Sequence, residues 1–592
     1  MADNMKGLKR TCYCGEVEGV GKEVVVGGYV QKIRDLGNLI FIDLRDRTGI
    51  VQLAFDDGTD RAIFEKASSC RSEYVLLVKG TVRERESKNN DIKTGNIEVY
   101  VNDLRILAKA QTTPFEIVDN SNTNEELRLK YRYLDLRRKP LQQNIIMRSK
   151  IAKVARDYFY ENGFIEIETP MMIKSTPEGA RDYLVPSRVH PGKFYALPQS
   201  PQIYKQLLMI AGFDRYIQLA RCFRDEDLRA DRQPEFTQID LEMSFAETED
   251  IMEMAEGFIS RLFSEILGRD IPVPLPRMKY TEALERFGSD KPDTRFGMEI
   301  TDLTDVVKDC GFGVFTSAIA NGGTVRCITA KNGASTFTRK EIDKLVEHAK
   351  GIGAKGLAYI RWADEPNCSF KKFLGEGDLE KILAAAGAEK GDVVFIIADK
   401  KNTALTSLGA LRLKCARQLN IIPEGKFNFL WITEFPFFEW NEETQHWDAM
   451  HHPFTMPMDE CLQYLDTAPE KVFAKAYDLV LNGTELSSGS IRITDYELQQ
   501  KMFESLGLTD EEIEAKFGFL VEAYKYGAAP HGGMGIGLDR LAMIMCGADS
   551  LRDVTAFPKV QNASELMSNC PAAVDKDSLD ILGIEVTKSE DE

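Results

Sequence analysis

The amino-acid sequence predicts an α+β protein built from several domains. Three observations favour this class. Five short runs of β-type residues lie near the N-terminus, an alternating hairpin pattern lies between residues 216 and 245, and residues 290–415 alternate Gly-rich turns with apolar runs. The length of 592 residues corresponds to about four domains at ~150 residues each.

The composition is that of a globular protein, with 43% hydrophobic and 28% charged residues. No run approaches the ~18 apolar residues of a membrane span, and residues 1–10 lack the apolar core of a signal peptide. The 11 cysteines are scattered, and their only close pair, Cys12 and Cys14, has C-x-C spacing. We therefore expect reduced thiols in a cytoplasmic protein, with no disulfide framework, zinc ribbon or membrane partner.

The net charge of −18 is unevenly distributed along the chain. Residues 1–110 contain 18 Lys and Arg against 17 Asp and Glu, a net charge of +1, so the acidity lies downstream. This balance argues against non-specific binding to nucleic acid, and no DNA partner is expected. RNA binding stays open, because local patches decide it rather than the total charge.

The first 110 residues predict a small β-barrel. Its predicted strands are Val24–Val30, Leu39–Leu44, Ile50–Phe55, Tyr74–Val82 and Ile97–Val101. A helical stretch near Thr59–Ser69 falls between the third and fourth strands. This order matches the OB-fold, which often binds single-stranded nucleic acid. Another kind of small β-barrel is the alternative.

A polar linker over residues 110–124 precedes a cationic segment. The segment interleaves basic residues with two tyrosines, namely Arg128, Lys130, Arg132, Arg137, Arg138, Lys139, Tyr131 and Tyr133. Such a segment could contact a phosphate backbone. A solvated helix face is the alternative.

The body of the chain begins with a helix from residue 145, followed by a strand over Phe164–Pro170. Two alternating stretches, Tyr216–Arg224 and Phe236–Phe245, then predict an antiparallel hairpin with one polar face. That face offers Arg224 to a phosphate, Phe236 to a base and Asp240 to a cation. A merely solvated face is the alternative.

Two further segments carry residues suited to ligand binding. Ser200 is a candidate N-cap for a helix that would place Gln202 and Lys205 on one face. Asp478 and Glu485 are carboxylates that could hold Mg²⁺ on triphosphate oxygens.

The strand after Glu485 poses a geometric problem. Glu485 and Arg492 are an odd number of residues apart, so a regular strand would place them on opposite faces. If both line one pocket, a bulge is required, and we expect it at Gly489.

The glycine run GGMGIG at 532–537 has neither the dinucleotide-binding nor the P-loop spacing. Arg540 lies just inside the apolar helix that follows. There the guanidinium and the backbone N–H groups can bind one anion together. A glycine-rich turn with a surface arginine is the alternative.

Several motifs occur in one order along nearly the whole chain. Three of them read FIEIETP ending at Pro170, FRDE at 223–226 and GMGIGLDR at 533–540. More specific ones are TPEGARDY (176–183), SPQIYKQ (200–206), QIDLEMSF (238–245), AMHHPFT (449–455) and ELSSGSIR (485–492). In these motifs the chain resembles the bacterial-type aspartyl-tRNA synthetases of class II. The class I signatures HIGH and KMSKS are absent.

The resemblance implies a domain plan. It consists of an OB-fold anticodon-binding domain (1–110), a hinge (111–144), a class II antiparallel-sheet catalytic domain in two parts (145–290 and 416–560), an inserted α/β domain of the GAD type (291–415) and a C-terminal extension (561–592).

The resemblance also implies the site residues. Arg224 and Arg540 would be catalytic, clamping the phosphates of ATP. The aspartate-binding residues would be Glu178, Ser200, Gln202, Lys205, Arg224, Asp240, His451 and Arg492. The ATP-binding residues would be Arg224, Asp225, Glu226, Gln233, Phe236, Glu485, Gly537, Leu538, Asp539 and Arg540. Asp478 and Glu485 would hold Mg²⁺, and the tRNA anticodon would contact Arg34, Leu36, Phe41 and Gln52.

The implied activity is ATP-dependent activation of L-aspartate and its transfer to tRNA(Asp), in a homodimer with Pro170 in its interface. Lys205 and Arg492 would reject neutral asparagine by ~10⁴ or more. The alternatives are an asparaginyl- or lysyl-tRNA synthetase, a non-catalytic RNA-binding relative and an asparagine synthetase relative. Charging of tRNA(Asn) as well is left open. Leu36 favours the strict form, an enzyme that charges tRNA(Asp) only. Residues 88–90 are the other candidate determinant of this tRNA preference.

Overall fold

A computed structural model describes residues 2–176, 179–226, 228, 231–441 and 445–587. The chain divides into two compact units, one of Met1–Met147 with Arg552–Ala572 and one of Arg148–Leu551 with Ala573–Glu592. Within the described residues, none of the helices has the length and apolarity needed to cross a membrane. The six-part domain plan stays a prediction.

The first unit contains a closed barrel with the strand order β1-β2-β3-β5-β4. Its elements are β1 (Glu23–Asp35), β2 (Ile40–Asp46), β3 (Gly49–Phe55), α1 (Arg61–Ser68), β4 (Val75–Glu84) and β5 (Ile97–Ala108). This confirms the predicted OB-type barrel. Asp60 caps α1 by accepting the first free N–H groups of the helix. Strand β5 continues past the predicted end, because Leu104 and Ile106 extend its buried face.

The cationic segment forms three helices, and three of its arginines point inward. The helices are α2 (Glu125–Lys130), α3 (Arg132–Asp135) and α4 (Lys139–Glu161). Asp135 is buried and lies 3.3, 2.9 and 2.8 Å from Arg128, Arg132 and Arg138. A buried carboxylate requires such partners. These three arginines therefore neutralise Asp135, and the idea that they form a phosphate-binding or solvated strip was wrong.

The second unit contains the remaining strands and helices. In chain order the strands are β6 (Ile165–Glu166), β7 (Leu184–Pro186), β8 (Phe194–Ala196), β9 (Arg215–Phe223), β10 (Glu235–Ser244), β11 (Arg277–Lys279), β12 (Thr301–Asp302), β13 (Thr324–Ala330), β14 (Ala358–Trp362), β15 (Pro366–Cys368), β16 (Val393–Asp399), β17 (Phe429–Pro436), β18 (Phe438–Asn441), β19 (His446–Ala449), β20 (Phe473–Leu481), β21 (Thr484–Ile491) and β22 (His531–Gly537). The helices are α5 (Gln202–Ile210), α6 (Thr248–Leu267), α7 (Tyr280–Phe287), α8 (Thr304–Val307), α9 (Gly313–Ala320), α10 (Arg339–Gly351), α11 (Asp378–Ala385), α12 (Lys401–Leu419), α13 (Tyr496–Ser505), α14 (Asp510–Tyr524), α15 (Leu538–Cys546) and α16 (Lys576–Leu582).

An eight-stranded sheet dominates this unit, with the order β11-β17-β20-β21-β22-β10-β9-β6. The strands from β17 to β9 pair antiparallel, and only the short edge strands β11 and β6 pair parallel. The predicted β9–β10 hairpin is confirmed, with Phe236 opposite Cys222 and Asp240 opposite Gln218. The polar residues of the hairpin therefore share one face.

Residues in the predicted insertion form a second sheet, with the order β12-β13-β16-β14-β15. Its strands pair antiparallel, and it has apolar cores on both faces. Helix α12 packs on one of these faces and contributes Leu405, Leu408 and Leu411 to that core.

Candidate active site

A cavity of about 510 Å³ lies against the eight-stranded sheet. Most of the predicted site residues line it: Ser200, Gln202, Lys205, Arg224, Glu226, Gln233, Phe236, Asp240, His451, Glu485, Arg492, Gly537, Asp539 and Arg540. Because these residues come from six separate segments of sequence, their convergence is a property of the fold. Glu178 lies outside the described residues.

Helix α5 supplies Gln202 and Lys205 to the cavity. The helix begins one residue later than predicted, with Pro201 as its N-cap. The Ser200 hydroxyl still accepts the N–H of Gln202, at 3.3 Å. Ser200 was therefore wrong as the N-cap, although its hydroxyl contacts the first turn of the helix.

One end of the cavity holds an ion cluster that consists of Lys205, Asp240, Glu242 and Arg492. All four side chains are buried. Lys205 Nζ lies 2.8 Å from Asp240 Oδ1 and 3.3 Å from Glu242 Oε2. Arg492 Nε lies 2.8 Å from Glu242 Oε1. Two cations thus converge on one carboxylate, which fixes their positions at the cavity wall.

Glu242 stays ionised in spite of its burial. Burial alone would raise the pKa of its carboxyl, but Arg492 and Lys205 outweigh that effect and lower the pKa to about 2. Glu242 shares the polar face of β10 with Asp240 but was not among the predicted site residues. Its position two residues after Asp240 was the signal that could have identified it.

His452 is a second site residue that sequence reasoning missed. Arg492 Nη1 lies 2.8 Å from His452 Nε2, and the N–H of Phe454 points to Nδ1 at 3.2 Å. Burial and then the charge of Arg492 hold the pKa of His452 well below its usual value. The imidazole is therefore neutral. A neutral ring has one acceptor nitrogen, so it accepts a hydrogen bond either from the Arg492 guanidinium at Nε2 or from the Phe454 N–H at Nδ1, and not from both.

The glycines of β22 make room for the ion cluster. A Cβ at Gly533 would lie 2.1 Å from Glu242 Oε2, and one at Gly535 would lie 3.1 Å from Gln238 Oε1. The glycine run is thus a strand that lets the side chains of β10 lie across it. Gly537 then forms the N-cap of α15.

The other end of the cavity, the arginine end, is lined by Arg224, Phe236, Glu485 and Arg540. Phe236 and Glu485 lie near the starts of β10 and β21, whereas Glu242 and Arg492 lie near their ends, so the length of the strands separates the two groups. The Arg224 guanidinium lies 5.4 Å from the centre of the Phe236 ring. Arg540 Nη1 donates to the main-chain carbonyl of Glu485 at 2.8 Å. This end offers two cations and an aromatic face, which suit a phosphorylated ligand with a planar ring.

Glu485 and Arg492 line the same cavity because β21 contains a bulge. The register with β20 shifts by one residue, which leaves Leu486 without a partner. Gly489 is paired regularly with Tyr477. The expected bulge is therefore confirmed, but Gly489 was wrong as its position.

Asp478 lies on β20, the strand that pairs with β21, which carries Glu485. Asp478 is almost fully buried. Its Oδ1 atom makes no hydrogen bond, and His451 Nε2 lies 3.6 Å from it. Burial and then the charge of Asp478 raise the pKa of Glu485. Two carboxylates whose charges repel each other in this way favour a divalent cation between them. Among the described residues, no cluster of three or more His, Cys, Asp or Glu side chains has metal-binding geometry.

Two predicted ATP-binding residues, Asp225 and Leu538, are not among the residues that line the cavity, and a third, Asp539, lines it while its carboxylate is bound by other residues. Asp225 lies 3.7 Å from Arg181 Nε, and Leu538 is buried in the core. Asp539 accepts Arg148 Nε and the N–H of Thr237, each at 2.8 Å, and so fixes the start of α15 against β10.

Buried polar atoms that lack a hydrogen-bond partner are concentrated in the cavity. Among the described residues, ten buried side-chain nitrogen or oxygen atoms lack a hydrogen-bond partner. Five of them belong to residues that line the cavity, namely Gln202 Nε2, Arg224 Nε, Asp240 Oδ2, His451 Nδ1 and Ser487 Oγ. Buried polar atoms are normally satisfied, so this concentration indicates a polar ligand.

The four predicted anticodon residues lie on the barrel. Arg34 Nη2 donates to Gln52 Oε1 at 2.8 Å, and its guanidinium lies 5.8 Å from the Phe41 ring centre. Gln52 is buried and donates to Glu98 at 2.6 Å. Leu36 is 69% exposed. Arg34 thus connects the Phe41 ring to the buried Gln52 side chain.

Comparison with known proteins gives consistent matches. The family described as "tRNA synthetases class II (D, K and N)" matches residues 124–561, and "OB-fold nucleic acid binding domain" matches residues 24–107. An "Aspartate--tRNA ligase" of Ruminiclostridium cellulolyticum is 58% identical over 99% of this chain and 100% of its own. An "Aspartate--tRNA(Asp/Asn) ligase" of Caldanaerobacter subterraneus subsp. tengcongensis is 56% identical over the same shares.

Solved structures agree in fold. The asparaginyl-tRNA synthetase from Pyrococcus horikoshii, complexed with asparaginyl-adenylate, superposes with a TM-score of 0.58 at 20% identity. The match covers 93% of this chain and 98% of that one. From the family match and the full-length relatives, this chain belongs to the class II tRNA synthetases of the aspartate, lysine and asparagine group.

Proposed function

We propose that this protein is an aspartate–tRNA ligase that activates L-aspartate with ATP and transfers it to tRNA(Asp). One observation carries the proposal. A single cavity has Lys205 and Arg492 held on Glu242 at one end and Arg224 and Arg540 at the other. Two buried cations fit the side-chain carboxylate of aspartate, and two further arginines fit a triphosphate.

The first step joins aspartate to AMP. The α-carboxylate of aspartate attacks the α-phosphorus of ATP, a carboxyl–phosphate bond forms, and pyrophosphate leaves with the electrons of the broken P–O bond. The nucleophile is already an oxyanion, so no strong general base is required. The chain contributes mainly in-line positioning and charge stabilisation by Arg224 and Arg540.

The amino-acid end would fix the substrate through opposite charges. Lys205 and Arg492 would bind the side-chain carboxylate, while Asp240 and Gln202 would surround the α-ammonium. The unpartnered Oδ2 of Asp240 supports this assignment. Glu178 would close the site from a segment outside the described residues.

Asp478 and Glu485 would hold Mg²⁺ when ATP binds. The ion would neutralise part of the triphosphate charge. The Oδ1 atom of Asp478 makes no hydrogen bond, and the pKa of the Glu485 carboxyl is raised. Both observations fit a cation between the two side chains.

The second step transfers the aminoacyl group to a terminal ribose hydroxyl of tRNA, and AMP leaves. Arg34, Phe41 and Gln52 would read the anticodon on the barrel. Some relatives are named "Aspartate--tRNA ligase" and others "Aspartate--tRNA(Asp/Asn) ligase". Exposed Leu36 favours the strict form, and we propose tRNA(Asp) as the main substrate.

The assembly proposed is a homodimer with Pro170 in its interface. The apolar side chains of Ile165, Met171 and Met172 flank Pro170 and are exposed in the single chain. Exposed apolar clusters commonly mark interfaces. Light scattering should give twice the chain mass, and a monomeric mass at micromolar concentration would contradict the assignment.

A cytoplasmic location is also proposed. All eleven cysteines are free, which fits a reducing compartment.

Aminoacylation of purified tRNA(Asp) and tRNA(Asn), assayed side by side with labelled aspartate, tests the function. We expect charging of tRNA(Asp) and little charging of tRNA(Asn). Equal charging would overturn the strict form, and no charging of either would overturn the proposed function.

A further inference from the structure

A lysine at the junction with the inserted segment also lines the cavity. Lys291 follows α7 and lies outside every motif that the sequence analysis singled out. Its Nζ is 3.8 Å from Glu485 Oε2 and 3.9 Å from Asp290 Oδ1. Both distances exceed those of a hydrogen-bonded ion pair, so the ammonium is near these carboxylates without being fixed by either.

Glu485 has cations on both sides. Arg540 Nη1 lies 3.9 Å from Glu485 Oε1, and Lys291 lies at a similar distance from the other oxygen. The Lys291 side chain is 46% exposed and therefore free to turn toward a ligand. A triphosphate that enters beside Glu485 would bring negative charge between these two cations.

The loop that carries Lys291 is fixed by the inserted segment. Arg412 of α12 is 1% exposed, and its Nη2 atom donates to the carbonyls of Asp293, Phe296 and Gly297, each at 2.9 Å. Its Nε atom donates to the carbonyl of Met298 at 3.1 Å. One buried side chain thus holds four main-chain carbonyls between residues 293 and 298.

The same loop is fixed from the other side by the turn that leads into Glu485. Asn428 Nδ2 donates to the Thr294 carbonyl at 3.1 Å, and the Asn428 N–H donates to Asn482 Oδ1 at 2.9 Å. A Cβ at Gly483 would lie 3.0 Å from Asp293 Cβ. The loop, the turn and Glu485 therefore form one continuous packed unit.

We propose that Lys291 is an ATP-binding residue that neutralises the phosphates leaving as pyrophosphate, and that Arg412 is the positioning residue that holds its loop. The inference rests on the proposed function and deepens it, because it connects the inserted segment to the nucleotide end of the cavity. The alternative is that Lys291 only pairs with Glu485 at the surface, where such a pair contributes little.

Aspartate-dependent ATP–pyrophosphate exchange tests the ligand role. Lys291→Met should raise the KM for ATP by about tenfold, as expected for a lost charge contact with phosphate, and leave the KM for aspartate within about twofold. Lys291→Arg should restore most of the ATP affinity. Lys344→Met is the matched control, since Lys344 pairs with Glu341 on α10 of the inserted segment and does not line the cavity.

The outcomes separate the inference from the proposed function. Exchange by the wild type together with an unchanged KM for ATP in Lys291→Met would overturn the ligand role. If the wild type shows no aspartate-dependent exchange, the proposed function itself fails.

A double-mutant cycle tests the positioning role. Arg412→Met should raise the KM for ATP, and adding it to Lys291→Met should raise the KM little further, because both changes disable one contact. An Arg412→Met protein that melts at a lower temperature with an unchanged KM for ATP would overturn the positioning role. If Arg412→Met does not fold, Asn428→Ala replaces it, because this change loosens the same loop. Asn428→Ala should raise the KM for ATP, and an unchanged KM would overturn the positioning role of the loop contacts.

Discussion

The Arg492 guanidinium contacts the Glu242 carboxylate at two points, with Nε 2.8 Å from Oε1 and Nη2 3.0 Å from Oε2. Such a two-point contact fixes the plane of the guanidinium as well as its position. Lys205 contacts the same carboxylate. Glu242 therefore orients both cations that would bind the substrate carboxylate, although the substrate itself would not contact it.

Replacement of Glu242 by glutamine tests this orienting role. Glu242→Gln keeps the shape but removes the charge, so Arg492 loses its counter-ion and its fixed plane. We expect the KM for aspartate in pyrophosphate exchange to rise about 10- to 100-fold, and the KM for ATP to change less than about twofold. Glu253→Gln, on the exposed face of α6, is the control. An aspartate KM equal to that of the wild type would refute the role.

The buried histidines predict a loss of stability in mild acid. Burial lowers the pKa of both His452 and His531 below the usual value of 6.5. The unfolded chain therefore binds more protons than the folded chain once the pH falls below about 6.5. The free energy of unfolding is then largest above that pH and decreases below it, by up to about 1.4 kcal/mol per pH unit for each histidine.

Thermal unfolding between pH 7 and pH 5 measures this effect. The Tm of the wild type should fall faster than that of His452→Asn, so the difference between the two Tm values should narrow as the pH decreases. His446→Asn, in the exposed strand β19, should show the pH dependence of the wild type. A constant Tm difference between wild type and His452→Asn would contradict the assignment.

The barrel should affect tRNA charging without affecting aspartate activation. Phe41→Ala removes the aromatic face beside Arg34, and stacking of one base on such a face contributes about 1–3 kcal/mol. We expect kcat/KM for tRNA(Asp) to fall about 5- to 100-fold. Pyrophosphate exchange should be unchanged, because that step requires no tRNA. A matching loss in both assays would indicate a folding defect, and no loss in charging would contradict the anticodon role of Phe41.

Local patterns predicted the barrel and the hairpin well. In both cases the alternation of apolar and polar residues directly reflects which side chains face the core. The arginines around Asp135 could not be assigned in this way, because Asp135 is a single carboxylate whose burial depends on how three helices pack. Charge patterns in sequence do not reveal which charges turn inward.

The site was predicted in composition but not in its supporting contacts. Lys205 and Arg492 were identified, whereas Glu242, which joins them, appeared only as one acidic residue in an alternating strand. Lys291 carried no sequence signal, since its place in the cavity depends on Arg412, far along the chain. Contacts between distant segments are set by the fold and cannot be derived from local patterns. The position of the bulge at Leu486 could not be derived from them either, although it lies within one strand.

The account depends most on the claim that Lys205 and Arg492 bind the side-chain carboxylate of aspartate. The direct measurement is kcat/KM in pyrophosphate exchange with aspartate and with asparagine, for the wild type and for Arg492→Leu. We expect the wild type to prefer aspartate by ~10⁴ or more. Arg492→Leu should lose most of that preference through a higher KM for aspartate, with the KM for ATP little changed. An unchanged aspartate KM in Arg492→Leu would contradict the central claim.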